Sequence, residues 1–312
     1  NSDPASPKLG VHDINANLLE GMEEAGIDVI PYENITNTKK TIIQDGLDGL
    51  LQNKDSKVQL ILQNSDPATA NALKIKVQQA VSQFQSKLIH KEDNEIPVKN
   101  SMDTKYIYGN SETVFFDVLS PILIGFFVFF FVFLISGIGL LKERTTGTLE
   151  RLMATPVRRW EIVTAYIVGF GIFAVIQTII VVLYSVHVLD MVLAGSIWNV
   201  MFINLLLAFV ALSLGILLSS FAASEFQMVQ FIPVAVIPQI FFSGIIPLEG
   251  MANWLQAIAK VMPLYYAADA LKAIMYKGMG ISDIGGNLLA LVIFASIFTV
   301  LNVFALKKYR SL

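Results

Sequence analysis

Hydrophobic and polar positions divide this chain at about residue 116. Beyond that point lie five uncharged stretches: Val118–Leu141, Ile162–Leu189, Met191–Ser224, Phe226–Leu248 and Ile284–Leu306. A bilayer core about 30 Å thick takes about 20 apolar residues in helical form. The pattern therefore predicts five spans, near 118–141, 162–185, 197–221, 227–248 and 284–306. The third stretch exceeds one span and is trimmed to Ile197–Phe221. Between the last two spans, in 249–283, Met251–Met262 sets Met251, Trp254, Leu255, Ile258 and Val261 at helical spacing. That piece is too short to cross and ends at Pro263. It and Leu264–Tyr276, which carries Asp269 and Lys272, read as helices lying at or dipping into one interface.

Before residue 116 the apolar runs are short. Lys8–Ile14, Ile27–Tyr32, Leu47–Leu51 and Val58–Gln63 read as strands, and Ala16–Ala25 and Asn37–Asp45 as helices. Ser65-Asp66-Pro67 signals the start of a long helix reaching about His90. Glu92–Met102 reads as a loop returning to the membrane. The fold class expected is an α-helical polytopic membrane protein with an N-terminal α/β or α+β domain. The domains are residues 1–115 and 116–312.

Composition sharpens the division. The chain is 54% hydrophobic and 15% charged, with a mean hydropathy of +0.60, where a soluble globule carries about a quarter charged residues. Residues 1–115 hold 11 Lys and 16 Asp/Glu, and residues 116–312 hold 11 Lys/Arg and 9 Asp/Glu. A net charge of −3 argues against a nucleic-acid partner. With no cysteine, disulfide scaffolds, thiolate metal sites and cysteine nucleophiles are excluded. In the first domain His12–Asp13 and His90 stand without a third catalytic partner, and Asn34-Ile35-Thr36 matches a glycosylation acceptor. Binding or gating suits that domain better than chemistry, with a passive lid close behind.

Orientation follows from the basic residues, which stay cytoplasmic near span ends. All five arginines, Arg144, Arg151, Arg158, Arg159 and Arg310, fall on one side of the predicted spans. That side is read as cytoplasmic, with the C-terminus there and residues 1–115 extracytoplasmic in a multi-pass cell membrane protein of bacterial type. A polar domain crosses only behind a signal peptide or an upstream span. A hydrophobic segment preceding Asn1 is therefore expected, and a retained one gives six spans.

The spans carry no ionisable group at mid-depth. This weakens an ion-coupled transporter and removes the constellation an intramembrane enzyme needs. Gln177, Asn204, Gln230 and Gln239 are the neutral polar groups there, read either as interhelical hydrogen bonds or as a sparsely polar substrate path. Pro233 and Pro238 in the fourth of these spans free backbone carbonyls and permit a bend, as a moving gate or a static kink. The chain holds no Gly-Lys dipeptide and so no Walker A loop, so energy for transport would come from a docked motor. One cytoplasmic loop, 142–161, is large enough to receive it. Within it Thr148–Thr155 is expected to be a short helix stopped by Pro156, with Leu149, Leu152 and Met153 on one face and Glu150 and Arg151 on the other. Lipid attraction explains Arg158 and Arg159 but not the interleaved Glu143, Glu150 and Glu161, which point to a protein partner.

The run E-R-T-T-G-T-L-E-R-L-M-A-T-P-V-R-R-W-E-I, from Glu143 to Ile162, resembles the coupling-helix loop of type-2 ABC exporter (ABC-2) permeases. F-F-S-G-I-I-P-L-E-G-M-A-N-W-L-Q-A-I-A-K-V-M-P-L-Y-Y-A-A-D-A-L-K-A-I at 241–274 resembles that family's outer re-entrant helices. V-Q-L-I-L-Q-N-S-D-P-A-T-A at 58–70 is similar to members with a large extracytoplasmic insertion, among them permeases linked to drug, antibiotic or sodium efflux. The family's first span and preceding amphipathic helix have no counterpart here. The resemblance implies a non-enzymatic permease subunit, dimerising with a second permease chain as homo- or heterodimer. Two ABC ATPase subunits would hold Mg-ATP beneath it, and this chain itself would carry no cofactor or metal. It further implies that Glu143, Arg144, Thr148, Leu149, Glu150 and Leu152 couple to the ATPase. Pro233, Pro238, Gly244 and Pro247 would serve the gate. A membrane lipid, drug or antibiotic would be the cargo. The alternative is a non-transport receptor of the phage-infection type, which explains the outer domain and leaves the mixed-charge loop unexplained.

Overall fold

A computed structural model describes residues 6–54, 57–89, 102–246 and 251–305. Two compact units divide the chain, Asn1–Val118 and Leu119–Leu312.

The first unit is a five-stranded mixed sheet in the order β2-β1-β3-β4-β5. Its strands are β1 (Lys8–His12), β2 (Asp28–Pro31), β3 (Gly49–Lys54), β4 (Lys57–Leu62) and β5 (Asp103–Tyr106). β1 runs parallel to β2 and β3, β4 returns antiparallel to β3, and β5 pairs parallel to β4. Helices α1 (Ala16–Glu24) and α3 (Pro67–Ile89) cover one face, where Leu18, Met22, Leu73 and Val77 close over Leu9, Val11, Leu51, Leu60 and Leu62. Helix α2 (Thr38–Gln44) covers the other, where its Ile42 packs with Leu47 and with Leu50 of β3. A sheet covered on both faces explains why its inner strands read as continuous apolar runs. Gly10 lets this cover sit close, since a Cβ would lie 2.8 Å from Leu47 Cδ1 and push that side chain aside.

Side-chain caps set the helix starts. Asn15 Oδ1 accepts from the Asn17 N–H at 2.9 Å, Asn37 Oδ1 from Lys40 at 3.1 Å, and Asp66 Oδ1 from Ala68 at 2.9 Å. The Tyr32 hydroxyl donates to Asp45 Oδ2 at 2.6 Å, which with burial pushes its pKa up to about 12. Burial also raises the Tyr108 phenol. Strand β5 is not anticipated from sequence: Asp-Thr-Lys-Tyr is four residues long and half exposed, with no apolar run to mark it. His90 and most of the Glu92–Met102 loop lie outside the described residues.

In the second unit five helical segments are long and apolar enough to cross a membrane, among the described residues: Phe115–Thr145, Arg159–His187, Ile197–Ser219, Glu225–Ile245 and Ile281–Ala305. They comprise α4 (Phe115–Thr145), α6 (Arg159–His187), α7 (Ile197–Ser219), a broken segment from Glu225, and α12 (Gly285–Ala305) with a preceding 3₁₀ turn. α7 is the central post, with 61% of its most apolar window buried against 17% in the windows of α6 and α12. Gly215 permits its approach to α4, since a Cβ there would lie 2.5 Å from the Phe133 carbonyl oxygen. Ser213 Oγ meets Thr299 Oγ1 at 3.3 Å, and Asn302 Nδ2 donates to the Ser213 carbonyl at 2.8 Å, tying α7 to α12. Such contacts substitute for the hydrophobic drive that lipid does not supply.

The two pieces expected at the interface differ from each other. In α10 (Asn253–Ala259) Trp254 is exposed and Leu255 half-buried, as in a surface-lying helix. α11 (Pro263–Met275) is instead embedded: Leu264, Ala267, Ala268, Ala270, Leu271 and Ile274 are buried. It packs against α7 and α12, its alanines allowing the close approach that a bulkier amphipathic helix would prevent.

Candidate functional site

The start of the 142–161 loop meets the turn that leads into the broken segment, through Arg144 and the Ala222 carbonyl. α4 runs on through Thr145, so Lys142–Thr145 form its last turn. Gly147 then takes the left-handed conformation, φ +77°, which L residues avoid. Its position is open, with no atom near a would-be Cβ, so the backbone, not space, calls for glycine. Helix α5 (Thr148–Met153) follows, and α6 begins at Arg159. α5 therefore ends three residues before Pro156.

α5 has one inner side. Leu149 is buried in the core of the second unit, and Met153 and Val157 pack partly against it. Leu152, expected beside Leu149, is instead 38% exposed. At 100° per residue Met153 lies about 40° to one side of Leu149 and Leu152 about 60° to the other, and only the Met153 side turns inward. The open face of α5 therefore presents Thr148, Glu150, Arg151 and Leu152, all exposed.

Glu143 and Arg144 point elsewhere. Glu143 Oε2 accepts from the Tyr166 hydroxyl on α6 at 2.5 Å. Arg144 Nη1 donates to the Ser219 carbonyl at the end of α7 and, at 3.2 Å, to the Ala222 carbonyl beyond it. A guanidinium there meets carbonyls left over at the helix C-terminus and the negative end of its dipole. Glu161 Oε2 accepts from the Arg158 N–H at 2.8 Å and caps α6. Two of the three carboxylates that sequence assigns to a protein partner thus have internal partners. Glu150 is the exposed one.

Ala222 opens the turn into the broken segment. Ser224 Oγ accepts from the Gln227 N–H at 3.2 Å, and Gln227 Oε1 accepts from the Ala223 N–H at 2.7 Å. This reciprocal pair fixes the start of α8 (Glu225–Ala235). Pro233 lies inside α8, and Pro238 in the first turn of α9 (Ile237–Ile240). Between them Val236 joins the two helices with its backbone still in the right-handed helical region, φ −101° and ψ −41°. The segment widens at Phe241–Ile245 and turns at Gly244, φ +90°. Pro247 lies outside the described residues.

No hydrogen bond joins one of the four polar span residues to another among the described residues. Gln239 is buried, and its Oε1 accepts from the Leu264 N–H of α11 at 3.0 Å. Asn204 Nδ2 donates to Val200 within its own helix at 2.9 Å, while its Oδ1 has no partner among the described residues. Gln177 is half-buried, and neither of its amide atoms has a partner there. Gln230 is exposed.

The sequence is similar to those of known proteins. The profile of the family described as ABC-2 family transporter protein matches residues 1–304. The chain is 26% identical over 238 residues to the probable multidrug ABC transporter permease YbhR of Escherichia coli, covering 76% of this chain and 64% of that protein. It is 28% identical over 176 residues to the inner membrane transport permease YhhJ of Escherichia coli, covering 56% and 47% respectively. It is 29% identical over 186 residues to ABC transporter G family member 20 of Dictyostelium discoideum, covering 59% of this chain and 25% of that one. The chain thus spans less than two thirds of each of these relatives.

Proposed function

This chain belongs to the ABC-2 transporter family, and we propose that it is the permease subunit of an ATP-driven exporter. The observation that carries the reading is α5: a short helix anchored by Leu149 that turns Thr148, Glu150, Arg151 and Leu152 outward on the side bearing the arginines. An exposed leucine following an exposed Glu–Arg pair suits a protein groove more than solvent. On this reading the occupant is an ABC ATPase, and Mg-ATP binds there and not on this chain. Glu143 and Arg144 complete the coupling segment from its inner side.

The subunit would pair with a second permease chain, as homo- or heterodimer, in a multi-pass cell membrane with residues 1–115 extracytoplasmic. A span upstream of Asn1 would bring the total to six. The cargo would be hydrophobic or amphipathic, a drug, antibiotic or lipid, because the spans offer neutral polar groups and no mid-depth charge. Pro233, Pro238 and Gly244 would let the broken segment serve as the gate. Names of the bacterial relatives, one a multidrug permease, favour the same class.

The test is Mg-ATP-driven, vanadate-sensitive uptake into inside-out vesicles, with a panel of lipophilic dyes and a fluorescent phospholipid. Uptake of at least one, absent without the chain, is expected. No uptake of any would contradict the reading.

A further inference from the structure

We infer that Arg144 is the positioning residue that carries movement of α5 to the broken span. This rests on the proposed exporter function and deepens it. The first link is the end of α4: one residue, Thr146, and the left-handed Gly147 separate it from α5, so displacement of α5 turns about a glycine whose N–H donates to the Arg144 carbonyl at 3.2 Å. The second link is the guanidinium itself, which grips the Ser219 and Ala222 carbonyls on either side of the α7 terminus. The third is the turn it grips. Ala222 is buried, and the Ser224–Gln227 capping pair locks that turn to the first turn of α8. A pull on Ala222 is therefore a pull on α8 and not on a slack loop.

The fourth link is what α8 can do when pulled. Its hydrogen-bond ladder lacks the donors of Pro233 and Pro238, which flank the junction of α8 and α9 at Val236, so the lower part can tilt without dragging the whole span. Beyond that junction, Gln239 hooks the first turn of α11, which gives the upper part a partner to move with. Glu143 makes a parallel tie to α6 through Tyr166. Arg144 thus works as a transmission element whose guanidinium faces away from the docking surface.

The absence of cysteine makes the test direct. Two single-cysteine versions, Thr155→Cys beside α5 and Phe226→Cys on the exposed face of α8, are labelled with bimane. Each is purified with its ATPase, and emission is compared before and after Mg-ATP plus vanadate. Both reporters are expected to shift with Arg144 present. With Arg144→Ala the Thr155 reporter still shifts and the Phe226 reporter does not; Arg144→Lys restores the second shift, and Arg144→Gln restores part of it. An undiminished Phe226 shift in Arg144→Ala overturns the inference. So does loss of both shifts in Arg144→Ala and Arg144→Gln alike, which would make the residue merely structural. A silent Phe226 beside a responsive Thr155 with Arg144 present also overturns it, while leaving the exporter reading intact. Failure of any ATPase to accompany the unsubstituted chain overturns the exporter reading itself.

Discussion

Gln239, one turn before the wide end of the broken span, accepts a 3.0 Å hydrogen bond from the backbone N–H of Leu264 in the first turn of α11. Both residues are buried, so the bond fills one of the orphan donors at a helix start that water does not reach. Gln239→Leu leaves that donor unsatisfied, a loss of about 1–3 kcal/mol. A lowered melting temperature in detergent is expected, with Gln239→Glu, which keeps an acceptor, falling less. Equal stability of Gln239→Leu and the unsubstituted chain would remove the tie from the account.

Leu149 and Leu152 separate anchoring from docking. Leu149→Ala empties a buried site and should lower stability by about 2–5 kcal/mol. Leu152→Ala should leave the melting temperature within a degree or so, because an exposed substitution falls within about 0.5 kcal/mol. The recovery of a bound ATPase should drop for Leu152→Ala. Thermal melts and pull-downs on the same preparations check both.

Gly147→Ala places a Cβ in the left-handed region, at about 1–2 kcal/mol, although nothing stands in its way. The expected result is a shifted α5 with reduced ATPase recovery and a modest loss of stability. Gly147→Asn, which tolerates that conformation better, should retain more of both. Hydrogen exchange at the α5 amides reports the shift.

The Tyr32 phenol titrates near 12 because it donates to the Asp45 carboxylate, with burial and the carboxylate charge adding to the effect. Its ordinary value is about 10, so the folded pKa lies above the unfolded one. The stabilisation is full below pH 10 and is lost as pH rises from 10 through 12. Ultraviolet titration of the phenols should show a transition near pH 12 that disappears in Tyr32→Phe.

Much of this architecture is legible in sequence because burial leaves long, simple signals. The five apolar stretches and the Asp66-Pro67 helix start are of that kind. So is the short helix of the 142–161 loop. Strand β5 leaves no such trace, since its hydrogen bonds to β4 belong to the backbone. The embedding of α11 is likewise hidden, because its charged Asp269 and Lys272 suggest a surface helix while its alanines do the packing. The roles of Glu143 and Glu161 depend on partners that only the fold brings near, Tyr166 across a helix pair and the Arg158 amide at a helix start. Charge order along a loop cannot distinguish such internal partners from an external one.

The central claim is that the exposed face of α5 receives an ATPase, and recovery of that ATPase from mild detergent tests it most directly. Unsubstituted protein should bring down an ABC ATPase with vanadate-sensitive activity, and Glu150→Arg should lose it while melting at the same temperature. Protein that purifies folded with no ATPase, or Glu150→Arg that retains it in full, would contradict the account.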